Sequence, residues 1–262
     1  MTRSTTPHTP PASLSVVIVR VVALIGAVMF AASLASGVWL YVSLGRPVGA
    51  AALDDARPWA VAVLANLLIF GLFALHHSAL ARAGAKARLA RVIPPELERT
   101  AYVWVASLLF LLVALTWQPV PGLVYRVDGW PRWILYALQA AGVVLTILAA
   151  KAIDPRELTG VQQAWRYDAN ADAAHPAPPP DPEPFVVRGA YGLVRHPIYL
   201  GWFLMVWPTP LMTGGRLTFA AISSFYLLIA IPWEERSLTR QYGEAYLRYT
   251  RQVRWRVLPG LY

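Results

Sequence analysis

Residues 16–44 read VVIVRVVALIGAVMFAASLASGVWLYVSL, an apolar run interrupted only by Arg20 near its start. A bilayer's hydrocarbon core is about 30 Å thick and takes roughly 20 helical residues to cross, so this stretch predicts a transmembrane helix. It is too long for the core of a signal peptide and lacks a clear cleavage site, which makes it a retained span. Moving outward, Pro58 to Ala81, Ala101 to Trp117 and Trp133 to Ala150 repeat the pattern. The composition agrees: 57% of residues are hydrophobic and 14% charged, against about 25% charged in a soluble domain. The expected fold class is an all-α integral membrane protein of about six transmembrane or hairpin helices plus a C-terminal amphipathic helix.

Beyond Ala150 the character changes. Residues 151–188 are polar and carry Pro176, Pro178, Pro179, Pro180, Pro182 and Pro184, which predicts an extended, partly mobile loop. Two shorter apolar segments follow, Ile198 to Met212 and Leu217 to Trp233. They read as a helical hairpin with Gly214 and Gly215 at the turn, its first limb ended by Pro208 and Pro210. From Glu234 onward, Leu238, Tyr242, Ala245, Tyr246, Tyr249 and Val253 share one helical face, with Arg236, Arg240, Arg251 and Arg254 opposite, as on a helix at a membrane surface. Gly243 in its middle predicts a close approach by another backbone or a ligand. The organisation is then a disordered N-terminus (1–15), a four-span bundle (16–150), a cytoplasmic Pro-rich loop (151–188) and a C-terminal core (189–262).

The net charge is +9, with 23 Lys and Arg in all. Placing the N-terminus in the cytoplasm puts eighteen of those 23 on the cytoplasmic side and five outside. Positive residues concentrate on the cytoplasmic side of membrane proteins. Topology thus accounts for the basic balance, no nucleic-acid partner is expected, and both termini face the cytoplasm. The chain has no cysteine, which excludes disulfides, thiolate metal sites and a cysteine nucleophile. Only five histidines are present, and no metal site is expected.

Chemistry-bearing residues gather just before the hairpin, in Gly189-Ala-Tyr191-Gly-Leu-Val-Arg195-His196-Pro197-Ile198-Tyr199-Leu-Gly201. Pro197 drives His196 out of the helical region and suits the first position of a helix. The backbone N–H groups of that helix start, with Arg195, His196 and Tyr199 around it, suit a ligand with a carboxylate and an aromatic base. The plainer alternative is a pair of basic side chains snorkelling at the end of a span. In the second span, His76-His77 is the sole titratable pair of the early apolar runs. Such intramembrane groups are candidates for function, as a general base or an orienting group, or else form a hydrogen-bonded structural pair.

Arg195-His196-Pro197-x-Tyr199-x-Gly201 followed by Glu234-Glu235-x-x-Leu238-x-x-x-x-Gly243-x-x-Tyr246-x-x-Tyr249-x-x-x-Val253 resembles the isoprenylcysteine carboxyl methyltransferase and phospholipid methyltransferase superfamily. Phe73-Ala-Leu-His76-His77-Ser78, Pro94-Pro95-x-x-Glu98-Arg99-Thr-x-Tyr102 and Trp117-Gln-Pro119 add a narrower likeness, to bacterial methanethiol S-methyltransferases and denitrification-associated membrane proteins. The resemblance implies a helical membrane bundle with S-adenosylmethionine held between hairpin and closing helix. Its implied contacts are Pro184, Phe185, Val186, Tyr191, His196, Pro197, Ile198, Tyr199, Glu234 and Tyr246, with Gln163 nearest to an upstream glutamine of the family. Arg195, Glu235 and His77 are the implied catalytic candidates. The sequence departs from those relatives at His76, where they usually carry Gln, and over residues 154–163. Ala230 stands where the prenylcysteine branch has a substrate arginine.

Methyl transfer from a sulfonium to a thiolate annihilates charge, and a dry site favours the spread transition state over separated ions. The implied function is methylation of a small or lipophilic thiol, methanethiol-like. The alternatives are a prenylcysteine carboxylate or phospholipid amine as acceptor, or a non-catalytic membrane protein of this fold. The implied location is a bacterial inner membrane.

Overall fold

The computed structural model describes residues 15–46, 58–80, 93, 97–152, 155–167 and 187–262. The expected spans form as helices: α1 (Val16–Ser43), α2 (Trp59–Leu80), α3 (Glu98–Thr116) and α4 (Pro131–Lys151). Two short helices, α5 (Pro155–Thr159) and α6 (Val161–Arg166), lie in the first part of the segment read as a loop. Then come a single 3-10 turn (Gly189–Gly192), α7 (Pro197–Val206), α8 (Gly214–Tyr242) and α9 (Glu244–Gln252). Among the described residues, α1, α2, α3, α4 and α8 are each long and apolar enough to cross a membrane. The molecule is an all-α membrane protein. Val28, Leu75 and Leu115 are each about two-thirds exposed or more, on helices whose bulky faces meet lipid rather than water.

Helix α3 packs on α1 and α2, α4 on α7, and α8 on α2 and α7. The main core draws Leu40 from α1, Phe70 from α2, Val113 from α3, Val206 from α7 and Phe219 from α8. Helices α4 and α7 approach closely through two glycines. A Cβ added at Gly142 would stand 2.7 Å from the Gly201 carbonyl oxygen, and one added at Gly201 would stand 2.8 Å from that of Gly142. Without a hydrophobic drive between helices in lipid, such small-residue contacts let backbones meet. Asn66, fully buried, ties α2 to the segment after α3: its side chain donates to the Gln118 carbonyl at 2.9 Å and accepts from the Gln118 N–H at 2.7 Å.

Four expectations are corrected. Gly214 and Gly215 do not make the hairpin turn; they open α8, with Thr213 as its cap accepting from the Arg216 N–H at 3.2 Å. The turn is the segment of Pro208 and Pro210, which do end α7 as anticipated. That segment leads into an unforeseen strand, β2 (Leu211–Thr213), antiparallel to β1 (Leu123–Arg126), with Tyr125 opposite Met212. Third, no separate amphipathic helix starts at Glu234: α8 runs through Glu234 and Glu235 to Tyr242, and α9 starts beyond Gly243. Last, no other backbone among the described residues approaches Gly243 closely. No described residue lies within 4 Å of a Cβ built there, and its φ of +53° with ψ of −127° is a conformation for which glycine is suited. The readings of residues 1–14 and of the Pro-rich stretch from 168 to 186 lie outside the described residues.

Candidate functional site

Pro197 begins α7, and His196 before it adopts φ −124°, ψ 66° as the helix cap, with no side-chain capping bond. Proline's steric demand on the preceding residue accounts for that backbone. The extended turn is fixed from the other side: the N–H groups of Arg195 and His196 donate to the carbonyls of Trp255 and Arg256 at 2.9 and 2.8 Å. The tail after α9 therefore pins the Arg195–His196 turn.

Glu235 is the electrostatic hub. Its Oε1 lies 2.9 Å from Arg195 Nε and 3.4 Å from His196 Nε2, while its Oε2 accepts from Arg256 Nε at 3.1 Å. Arg256 also donates to the Tyr262 hydroxyl at 3.0 Å and lies over that ring. The Glu235 and Arg195 side chains are 13% and 11% exposed. A carboxylate so enclosed is tolerated because several cationic donors surround it. Glu234 turns elsewhere, since consecutive helical residues point roughly 100° apart. It is 45% exposed, lies 3.6 Å from His196 Nδ1 and accepts from the Tyr199 hydroxyl at 2.7 Å. The buried His196 ring stacks on Tyr199 at 5.2 Å. One glutamate thus braces the cluster and its neighbour opens out of it.

Helix α9 closes the side. Tyr246, Tyr249 and Val253 are buried against Leu238 and Tyr242, and the Tyr249 hydroxyl donates to the Tyr191 carbonyl at 2.8 Å. Burial, helped by the Glu234 carboxylate, pushes the Tyr191 phenol up to about 12. Burial likewise raises Tyr246 and Tyr249. All three remain neutral hydroxyls at physiological pH.

The structure brings Arg195, His196, Tyr199, Glu234 and Glu235 into one cluster, flanked by Tyr191 and Tyr246, with Pro197 and Ile198 in the first turn of α7. Pro184, Phe185 and Val186 lie outside the described residues. Gln163 sits on α6, a helix that packs against α1. Its Oε1 is buried with no hydrogen-bond partner among the described residues. His77 lies at the end of α2, where its Nδ1 is 2.8 Å from the Tyr102 hydroxyl and its ring stacks on Phe73 at 5.5 Å. His76 also meets Tyr102, ring on ring at 5.9 Å.

Sequence reasoning gave no site role to Arg256, Tyr262 or Tyr226. Arg256 entered only as a topological charge, and its partner is 21 residues away, a separation that no helical or strand period encodes. Tyr226 meets the Ser78 hydroxyl at 3.3 Å and reads in sequence as one more aromatic of a span.

No protein-family model and no solved structure matches this chain. Curated relatives do. Methanethiol S-methyltransferase 2 of Bradyrhizobium diazoefficiens is 32% identical over 228 residues, covering 86% of this chain and 85% of the relative. The methanethiol S-methyltransferase of Crocosphaera subtropica is 37% identical over 193 residues, 73% of each chain. The chain belongs to the methanethiol S-methyltransferase family. Family membership fits the superfamily resemblance read from Arg195-His196-Pro197 and Glu234-Glu235. A nurim homolog of Drosophila melanogaster is also similar, 28% identical over 184 residues, 68% of this chain and 70% of that protein. The relatives are named methyltransferases, and the five long apolar helices make this chain a membrane protein.

Proposed function

We propose that the protein is an S-adenosylmethionine-dependent S-methyltransferase of a bacterial plasma membrane, with both termini cytoplasmic and a small or lipophilic thiol as acceptor. The observation that carries this reading is the meeting of the two motifs. His196 stands within 3.6 Å of both Glu234 and Glu235, so the turn before α7 and the end of α8 form one polar site beside a membrane helix.

The donor set fits S-adenosylmethionine chemically. Glu234, half-exposed, is an acceptor for ribose hydroxyls or an ammonium group. At the start of α7, Pro197 has no N–H and the Tyr199 and Leu200 N–H groups donate to the His196 carbonyl, so the Ile198 N–H is the one left to meet a carboxylate. Tyr199 and Tyr191 offer aromatic faces; Gln163, on α6 against α1, has a buried Oε1 with no partner among the described residues, an acceptor of the kind that ligands or water satisfy. The bound molecule supplies a methyl group on a sulfonium sulfur. The protein's part is to align acceptor and methyl carbon, to keep water out, and to take the thiol proton. Arg195 and Glu235 hold the site's shape through their ion pair, His196 and Glu234 hold the donor, and His77 is the candidate base. Names of the relatives point to methanethiol, and Ala230 argues against a prenylcysteine carboxylate.

Purified protein given methyl-labelled S-adenosylmethionine should label methanethiol or a similar small thiol, and neither phosphatidylethanolamine nor a prenylcysteine. Labelling of the lipid amine alone would refute the thiol assignment.

A further inference from the structure

We infer that Arg256, itself held by Tyr262, is a positioning residue of the methyl-donor site: its guanidinium aims the Glu235 carboxylate that fixes the His196 ring beside Glu234. This rests on the methyltransferase reading above and adds to it two residues of the tail after α9 that set donor affinity without touching the donor.

Three basic groups face Glu235, and they do not hold it alike. Arg195 Nε stands 2.9 Å from Oε1 yet makes no hydrogen bond to it, so that pair is attraction without direction. Arg256 Nε donates to Oε2 at 3.1 Å, and His196 Nε2 is 3.4 Å from Oε1. A hydrogen bond fixes direction because it weakens steeply off line, whereas Coulomb attraction depends on distance. Among the described residues, the carboxylate is therefore aimed by Arg256 on one oxygen and meets the His196 ring with the other.

Arg256 can act as a fixed reference because its own plane is held at both ends. Its Nη1 donates to the Tyr262 hydroxyl at 3.0 Å, and the guanidinium lies 5.1 Å from the centroid of that ring. A guanidinium is planar and carries its donors in a rigid fork, so holding one end orients the other. The tail folds back to bring Tyr262 there. The N–H groups of Val257 and Leu258 donate to the Tyr262 carbonyl at 2.8 and 3.0 Å, and Gly260, at φ +84°, makes the turn.

Residue 256 then reaches His196 by two routes. Its carbonyl accepts from the His196 N–H at 2.8 Å, and its side chain acts on the imidazole through Glu235. That imidazole is buried, stacks on Tyr199 at 5.2 Å and stands 3.6 Å from Glu234. A change in its tilt passes directly to the two side chains around it that are assigned to the donor.

Equilibrium binding of labelled S-adenosylmethionine to the full-length protein in nanodiscs tests this, with thermal midpoints measured alongside. Arg256→Ala keeps the main-chain route and removes the side-chain one. It should weaken binding about tenfold, as loss of one charged hydrogen bond does, with the number of sites per folded protein unchanged. Tyr262→Phe keeps the ring, removes the hydroxyl and should weaken binding about threefold. Because Tyr262 acts through Arg256, the double variant should bind no worse than Arg256→Ala alone. A merely structural part would lower the midpoint, or the fraction of protein able to bind, and leave the dissociation constant of that fraction as in wild type. That result, or losses that add in the double variant, overturns the inference. If Arg256→Ala does not fold, Tyr262→Phe decides, and wild-type affinity in it is the overturning result. A folded wild type that binds no S-adenosylmethionine refutes the methyltransferase reading and this inference together, whereas variants that bind as well as a binding wild type refute the inference alone.

Discussion

Glu234 and Glu235 are adjacent and chemically identical, yet the structure gives them opposite work. Glu235 is enclosed by Arg195, His196 and Arg256, so removing its charge strands three cationic or polar donors. Glu235→Gln should destabilise the protein by about 2 kcal/mol, a value discounted from the roughly 3–5 kcal/mol of a fully buried pair because water still reaches Arg256. A lower thermal midpoint in detergent would register it. Glu234→Gln should leave that midpoint nearly unchanged, since the side chain is half-exposed, the amide oxygen can still accept from the Tyr199 hydroxyl, and His196 Nδ1 stands 3.6 Å away. Equal destabilisation by the two substitutions would contradict this division. Tyr249→Phe removes the bond to the Tyr191 carbonyl and should cost about 1 kcal/mol, read in the same melts.

At the scale of elements, long apolar runs made the spans legible, because a hydrocarbon slab demands helices of a set length whatever their partners. Sequence also showed that Pro208 and Pro210 end α7. What it hid were places where one element's form depends on another's position. The glycine pair at 214 and 215 looks like a turn by composition, but the first turn of α8 uses it beside the β1–β2 pair. The break at Gly243 was legible as a glycine, but sequence does not distinguish a special backbone angle, which Gly243 has, from a tight approach by another backbone. The Glu235–Arg256 bridge needed the tail to fold back on the Arg195–His196 turn. Two glycine substitutions separate these cases. Gly243→Ala should cost about 1–2 kcal/mol from backbone strain although space is free. Gly201→Val should cost about 3 kcal/mol or more, because its side chain would run into the Thr146 hydroxyl and, behind it, the Gly142 carbonyl and Thr146 nitrogen of the α4 backbone. Gly71→Ala, where no described residue lies within 4 Å, should be tolerated, and the yield of monodisperse protein after extraction would rank the three.

For the whole molecule, the account requires the site to open on the cytoplasmic side, where S-adenosylmethionine is made. The cysteine-free chain allows a clean check. Asp128→Cys, beyond β1, should react with a membrane-impermeant thiol reagent in intact spheroplasts, and Leu261→Cys only after permeabilisation. The reverse would invert the topology and put the cluster on the wrong face. The central claim is that the turn before α7 and the end of α8 together hold the methyl donor. Its most direct measurement is equilibrium binding of labelled S-adenosylmethionine to purified protein in nanodiscs. The account predicts saturable binding by wild type, weakened at least about tenfold in Glu234→Gln by loss of a charged hydrogen-bond acceptor and retained in His77→Ala. Binding untouched by Glu234→Gln, or no binding by the folded wild type, would contradict it.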